Sequence, residues 1–156
     1  MRYADLRGYQ YDRRDVTGRG LANAYAQTLG TIFTESGKPY EVELVVAEVV
    51  ATQSDDSMYR LTYDGSVTDE HGFVVMGGHS DPVATYLRGK HDPAAALDVA
   101  LRLGLAALAQ PVADGAETRV FTGDALEAAV LDRTRPRRAF KRLIGERLDA
   151  LIAPSA

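Results

Sequence analysis

The chain has 156 residues, 46% of them hydrophobic, 26% charged and 8% aromatic, the composition of one globular domain able to bury about two thirds of its unfolded surface. Its apolar content excludes disorder, its 14 Gly and 6 Pro exclude collagen-like and low-complexity classes, and the absence of cysteine excludes a disulfide framework or a Cys-based zinc site. A formal charge of −4 argues against a general nucleic-acid binder. The longest uncharged run, Gly20–Thr34, is too short and too polar to span a bilayer, and MRYADLRGYQYDRRD lacks the apolar core of a signal peptide. The expectation is a cytoplasmic chain with no membrane partner.

In chain order, Tyr3, Leu6 and Tyr9 have a weak helical spacing that begins in mid-stride. Asp15 is the expected N-cap of a helix to about Glu35, with Leu21, Ala22, Tyr25, Ala26, Leu29, Ile32 and Phe33 on one face and Gly37-Lys38-Pro39 as its stop. Val42, Leu44 and Val46 alternate with Glu41, Glu43 and Ala47, which predicts a strand within Tyr40–Ala51. A second strand is expected at about Met58–Tyr63, a turn at Asp64-Gly65 and a third strand beginning at Phe73–Met76, giving an antiparallel meander. Asp81-Pro82 and Asp92-Pro93 each read as an N-cap followed by proline in the first helical position. The second of these helices, Pro93–Ala109, has a stripe of Leu97, Leu101, Gly104, Leu105 and Leu108, widened by Val99 and Leu103. Gln110–Gly123 reads as a loop, Ala125–Asp132 as a short helix or a strand, and about 137–143 as a strand. A break at Gly145 and a short amphipathic helix complete the chain.

No residues announce chemistry. His71, His79 and His91 are eight and twelve residues apart, without the i, i+4 spacing of a zinc helix. Gly77-Gly78-His79-Ser80 lacks both a dinucleotide fingerprint and a P-loop lysine, so a tight turn is the reading. No G-x-S-x-G elbow occurs, and acids such as Asp55, Asp56, Asp69 and Glu70 are expected in polar loops where nothing apolar would raise a pKa. Neither catalytic residues, metal ligands nor a cofactor are expected. The charge, however, is segregated. Arg133–Arg147 holds seven basic residues and one acid, a balance of +6 that leaves −10 on the rest, and Glu35–Glu70 sets nine acids against Lys38 and Arg60. Such a chain can pair head to tail with copies of itself or with a complementary partner, or the charges can be solvated faces. Phe140 alone interleaves with the arginines, so binding to an acidic polymer is disfavoured.

Three long segments carry a resemblance: YDRRDVTGRGLANAYAQTLGTIFTESGKPYEVELVVAEV (Tyr11–Val49), YRLTYDGSVTDEHGFVVMGG (Tyr59–Gly78) and LEAAVLDRTRPRRAFKRLIGERLDALI (Leu126–Ile152). Together they make the chain similar, over nearly its whole length, to actinobacterial 20S proteasome α-type subunits. The resemblance implies an α+β fold, a four-layer αββα sandwich of the N-terminal-nucleophile hydrolase type, incomplete at its N-terminus. Residues 1–156 would form a single α-type domain, the C-terminal two thirds of the family domain, with strands at 125–132 and RRAFKR. It further implies a gating tail, a first helix, the first strands of both sheets and most of the next helix upstream of the residue matching Met1. The lysine that anchors the activator's C-terminal carboxylate belongs to that portion, and no residue of this sequence matches it.

The function implied is that of a non-catalytic subunit in the seven-membered outer ring, stacked on β-type subunits and docking an AAA ATPase activator for degradation of pupylated proteins. Tyr11, Asp12, Arg13, Arg14, Asp15, Arg137 and Arg138 are the expected interface residues. A β-type threonine peptidase is the alternative with the same fold. It requires an N-terminal threonine, whereas the first threonine here, Thr17, sits at a helix start. A free-standing remnant without an assembly role is a third reading.

Overall fold

A computed structural model of the chain describes residues 2–111, 119–135 and 137–153. It forms two compact units, Met1–His71 and Gly72–Ala156. In the first, helix α1 (Arg2–Gln10) leads through a 3-10 turn at Arg13–Asp15 to helix α2 (Gly18–Glu35) and strands β1 (Leu44–Glu48), β2 (Ser57–Leu61) and β3 (Val67–Glu70). The strands make one antiparallel sheet in the order β1-β2-β3.

Period two and register explain this core. Leu44 pairs with Leu61 and Val46 with Tyr59, so these four side chains share one sheet face. Against it α2 lays Ala22 and Leu29, both buried, with Leu21, Tyr25 and Ala26 partly covered. Leu61 is fully buried, which favours the fold by about 1.5–3 kcal/mol for one such side chain. Phe33, at the end of the same helical face, is more open, and its ring meets Tyr63 at 5.7 Å.

Two expectations are corrected in this unit. Asp15 is not the N-cap of α2: it ends the 3-10 turn, and Thr17 caps the helix by accepting from the Gly20 N–H at 3.1 Å. The third strand is Val67–Glu70, not Phe73–Met76. The chain reverses within Thr62–Ser66, where Thr62 N–H donates to the Ser66 carbonyl at 3.1 Å, so pairing resumes at once with Leu61 opposite Val67. Phe73–Met76 is rich in strand formers but has no ladder neighbour among the described residues. β-propensity without a partner strand makes no strand.

The second unit holds α3 (Ser80–Arg88), α4 (Leu97–Leu108), the antiparallel pair β4 (Ala128–Leu131) and β5 (Phe140–Leu143), and α5 (Glu146–Ile152). The open choice at 125–132 is therefore a strand, preceded by a 3-10 turn at Gly123–Ala125. Helices begin away from the expected caps. His79 rather than Asp81 precedes α3, and Asp92 folds a separate turn by accepting from the Ala94 N–H at 2.8 Å, so α4 starts only after Ala96. An Asx turn competes with a helix cap because the same carboxylate serves either. The middle of the expected loop, residues 112–118, lies outside the described residues. Helix α4 packs against α3 and α5, with Arg102 bound to Asp98 at 2.7 Å and donating to the Leu151 carbonyl at 3.3 Å. The break after β5 falls at Gly145, whose φ of +56 is open to glycine at no steric cost. The α+β class holds, and both sheets are antiparallel.

Candidate assembly surfaces

Tyr11–Asp15 are exposed, and local hydrogen bonds hold them in one shape. Tyr11 N–H donates to the Arg7 carbonyl at 3.1 Å, prolonging α1 by one step. The Asp12 carboxylate accepts from Arg14 N–H at 2.9 Å and starts the 3-10 turn, which Val16 N–H closes onto the Arg13 carbonyl at 3.3 Å. Arg13 then lines a hollow with Gly8, Tyr9 and Val16, and Asp15 borders a polar groove along α2 with Asn23 and Gln27. Tyr9 and Tyr11 stand 91% and 75% exposed. Exposed tyrosines beside arginines are the residue types that anchor protein–protein contacts.

Arg137 and Arg138 lie in the turn joining β4 to β5, also exposed. Asp132 organises this turn. Its N–H donates to the Ala139 carbonyl at 2.9 Å, and its carboxylate accepts from the Thr134 hydroxyl at 2.6 Å and N–H at 3.0 Å. The hydroxyl of Thr134 first, then its N–H, hold the Asp132 carboxyl below the usual aspartate range, with Arg135 and Lys141 adding to the effect. Arg135 donates to the Phe140 carbonyl at 3.1 Å and Arg142 stands 3.8 Å from Glu127. These basic groups are partly used at home. Tyr11–Asp15 belong to the first unit and Arg137 and Arg138 to the second.

Some contacts were not legible beforehand. Glu48 accepts from the Gly18 N–H at 2.8 Å, tying the end of β1 to the start of α2. The Arg19 guanidinium lies 5.8 Å from the Tyr59 ring centre and donates to its hydroxyl at 3.4 Å. Arg60 sits between Glu70, whose Oε1 is 3.0 Å from Nε, and Glu43 at 4.0 Å. Nε is out of line for a hydrogen bond, so the Glu70 contact is ionic. The acid-rich pattern of Glu35–Glu70 signals charge there, but a link across 30 residues has no local signature. Among the described residues, no group of three or more His, Asp or Glu is placed to hold a metal ion, and no helix is long and apolar enough to cross a membrane.

The family model for "Proteasome subunit" matches residues 1–131. The chain belongs to the proteasome subunit family. It is 59% identical over 156 residues to a protein named "Proteasome subunit alpha" from Sanguibacter keddieii, covering 100% of this chain and 61% of that one. The protein of the same name from Parafrankia is 56% identical, with 100% and 67% covered, and that from Kineococcus radiotolerans 59%, with 98% and 66% covered. The chain thus spans about two thirds or less of these relatives' lengths, and within the family it groups with the α-type subunits. The α+β proteasome fold, of the N-terminal-nucleophile hydrolase type, accounts for two antiparallel sheets with helices in one short chain.

Proposed function

We propose that this chain is a non-catalytic α-type subunit of a 20S core particle, acting in the cytoplasm. In this reading residues 1–156 are the C-terminal two thirds of one α-type domain, in a seven-membered outer ring that rests on β-type subunits. The ring restricts substrate entry and docks an AAA ATPase that delivers pupylated proteins. Tyr11–Asp15, Arg137 and Arg138 then make contacts between subunits rather than with nucleic acid. The observation that carries the reading is 56–59% identity to proteins named proteasome subunit alpha across nearly the whole chain. A supporting one is that Thr17, the first threonine, is an internal residue capping α2, so its nitrogen is a peptide nitrogen and not the free amine that serves an N-terminal threonine nucleophile as base.

The test joins this chain to the N-terminal portion of the Sanguibacter relative and co-expresses it with a β-type subunit. Native mass spectrometry is expected to find high-mass rings, and the chain alone is expected to cleave fluorogenic peptides only at the buffer rate. Cleavage by the chain alone, abolished by a threonine-directed covalent inhibitor, would favour the β-type alternative. Failure to enter any ring would favour the free-standing one.

A further inference from the structure

Strand β3 is an edge of its sheet, with β2 on one side only, so the N–H and C=O groups along its other side have no ladder partner among the described residues. Val67, Thr68 and Asp69 are exposed. The carboxylates around this edge are not equivalent. Glu70 is engaged with Arg60 and Asp64 with Thr62 and Ser66, whereas Asp69 has only the more distant charge of Arg19. The edge therefore offers outward carbonyls and one weakly paired carboxylate.

The turn between β4 and β5 has the complementary chemistry. Arg137 has a φ of +72, a left-handed conformation uncommon for a non-glycine residue. Neither Arg137 nor Arg138 forms an ion pair with a described residue, in contrast to Arg142 with Glu127. Each guanidinium presents five N–H donors in a planar fork suited to a carboxylate and to adjacent carbonyl oxygens.

We propose that Arg137 and Arg138 of one copy dock on the β3 edge of a second copy, with Asp69 as their carboxylate partner. The occupant is a second copy because the two halves of the contact are opposite in charge and one chain carries both. Guanidinium groups that cap the open carbonyls would also blunt the edge against uncontrolled strand pairing. As the two surfaces differ, the contact is heterologous: copies joined in this way close into a ring when the rotation allows. The inference rests on the ring-subunit reading and adds to it the partner surface of the β4–β5 turn.

The experiment uses the co-expressed preparation described above and measures the fraction of α-type chain in rings at low and at moderate salt. R137E/R138E is expected to lower ring formation at least tenfold, D69K to lower it less, and both losses to vary with salt. The combined variant R137E/R138E/D69K, with both signs reversed, is expected to recover association with itself. Recovery supports the contact. A combined variant no better than R137E/R138E, or a D69K variant that assembles like the parent, overturns it while leaving the ring-subunit reading intact. If R137E/R138E lowers the melting temperature of the unassembled chain and leaves assembly unchanged, the arginines act within one copy and the proposal also fails. A parent chain that forms no ring refutes the underlying reading.

Discussion

Gly65 shows how much one position can constrain. Its φ is +86, and a Cβ there would stand 2.6 Å from the Ala26 carbonyl oxygen and 2.9 Å from Gly30 Cα, because the β2–β3 turn presses on α2. Gly65→Ala combines a left-handed backbone cost of about 1–2 kcal/mol with overpacking of about 1–3 kcal/mol. In the chain fused to the N-terminal portion of a relative, Gly65→Ala is expected to destabilise by at least about 2 kcal/mol, read as a lower urea midpoint, whereas Gly37→Ala, with no atom beyond its chain neighbours within 4 Å of its added methyl, is expected to change little. The cap of α2 gives a second test at this scale. Thr17→Ala removes the acceptor of Gly20 N–H and is expected to cost about 1 kcal/mol, while Asp15→Ala is expected to stay within about 0.5 kcal/mol, as for an ordinary surface site. A larger effect at Asp15 than at Thr17 would mean that the helix starts where its sequence first suggests. Asp and Thr are both good caps two residues apart, so only the observed hydrogen bond separates them.

The β2–β3 and β4–β5 hairpins are each closed by an aspartate that serves its own turn. Asp64 accepts from the Thr62 hydroxyl at 2.5 Å and from Ser66 N–H and hydroxyl at 3.0 Å each, as Asp132 does from Thr134 in the β4–β5 turn. In each case the neighbouring threonine hydroxyl is the main reason that the carboxyl is held below the usual range. These groups are harder to protonate folded than unfolded. Their stabilisation is complete above the unfolded aspartate value, about 3.9, and disappears as the pH falls through the lower folded value. Asp64→Asn with Asp132→Asn is expected to be less stable at pH 7 and to lose less stability between about pH 5 and pH 2. Parallel acid titrations by circular dichroism check this, and identical slopes would refute it. Asp64-Gly65 was legible as a turn because its dipeptide carries the conformation locally. The strand after it is not where the sequence suggests because Val67–Glu70, exposed but for half-buried Glu70, lacks an apolar stripe, while the apolar run Phe73–Met76 has no neighbour to pair with among the described residues.

At the scale of the molecule, both sheets have edges without a ladder partner among the described residues. The described β4–β5 sheet has only two strands, and in the three-stranded sheet only β2 is paired on both sides. A two-stranded sheet is marginal in water, and open edges invite association. Leaving about 400 Å² of apolar surface uncovered costs about 10 kcal/mol at 25 cal/mol per Å², as much as the whole net stability of about 5–15 kcal/mol of a domain. Ile144 at 68% and Leu6 at 51% exposure are visible parts of such surface. The 156-residue chain by itself is expected to bind hydrophobic dye and to melt without a sharp transition. Fused to the N-terminal portion of a relative, it is expected to melt cooperatively. A lone chain that melts cooperatively above about 50 °C, an ordinary mesophile value, would show that it closes its own core.

The amino-acid sequence by itself determined the family, the long helix α2, the first two strands, the Asp64-Gly65 turn, the β5–α5 break and the segregation of charge. Each of these is written in local periodicity, turn chemistry or long runs of family-like residues. Only the tertiary structure decided which strand pairs with β2, where the helices are capped, and which charges are already used, as Glu48 is on Gly18 and Arg60 between Glu43 and Glu70. Those outcomes depend on which groups meet across tens of residues, and ladder partners, caps and ion pairs are competed for in space rather than along the chain.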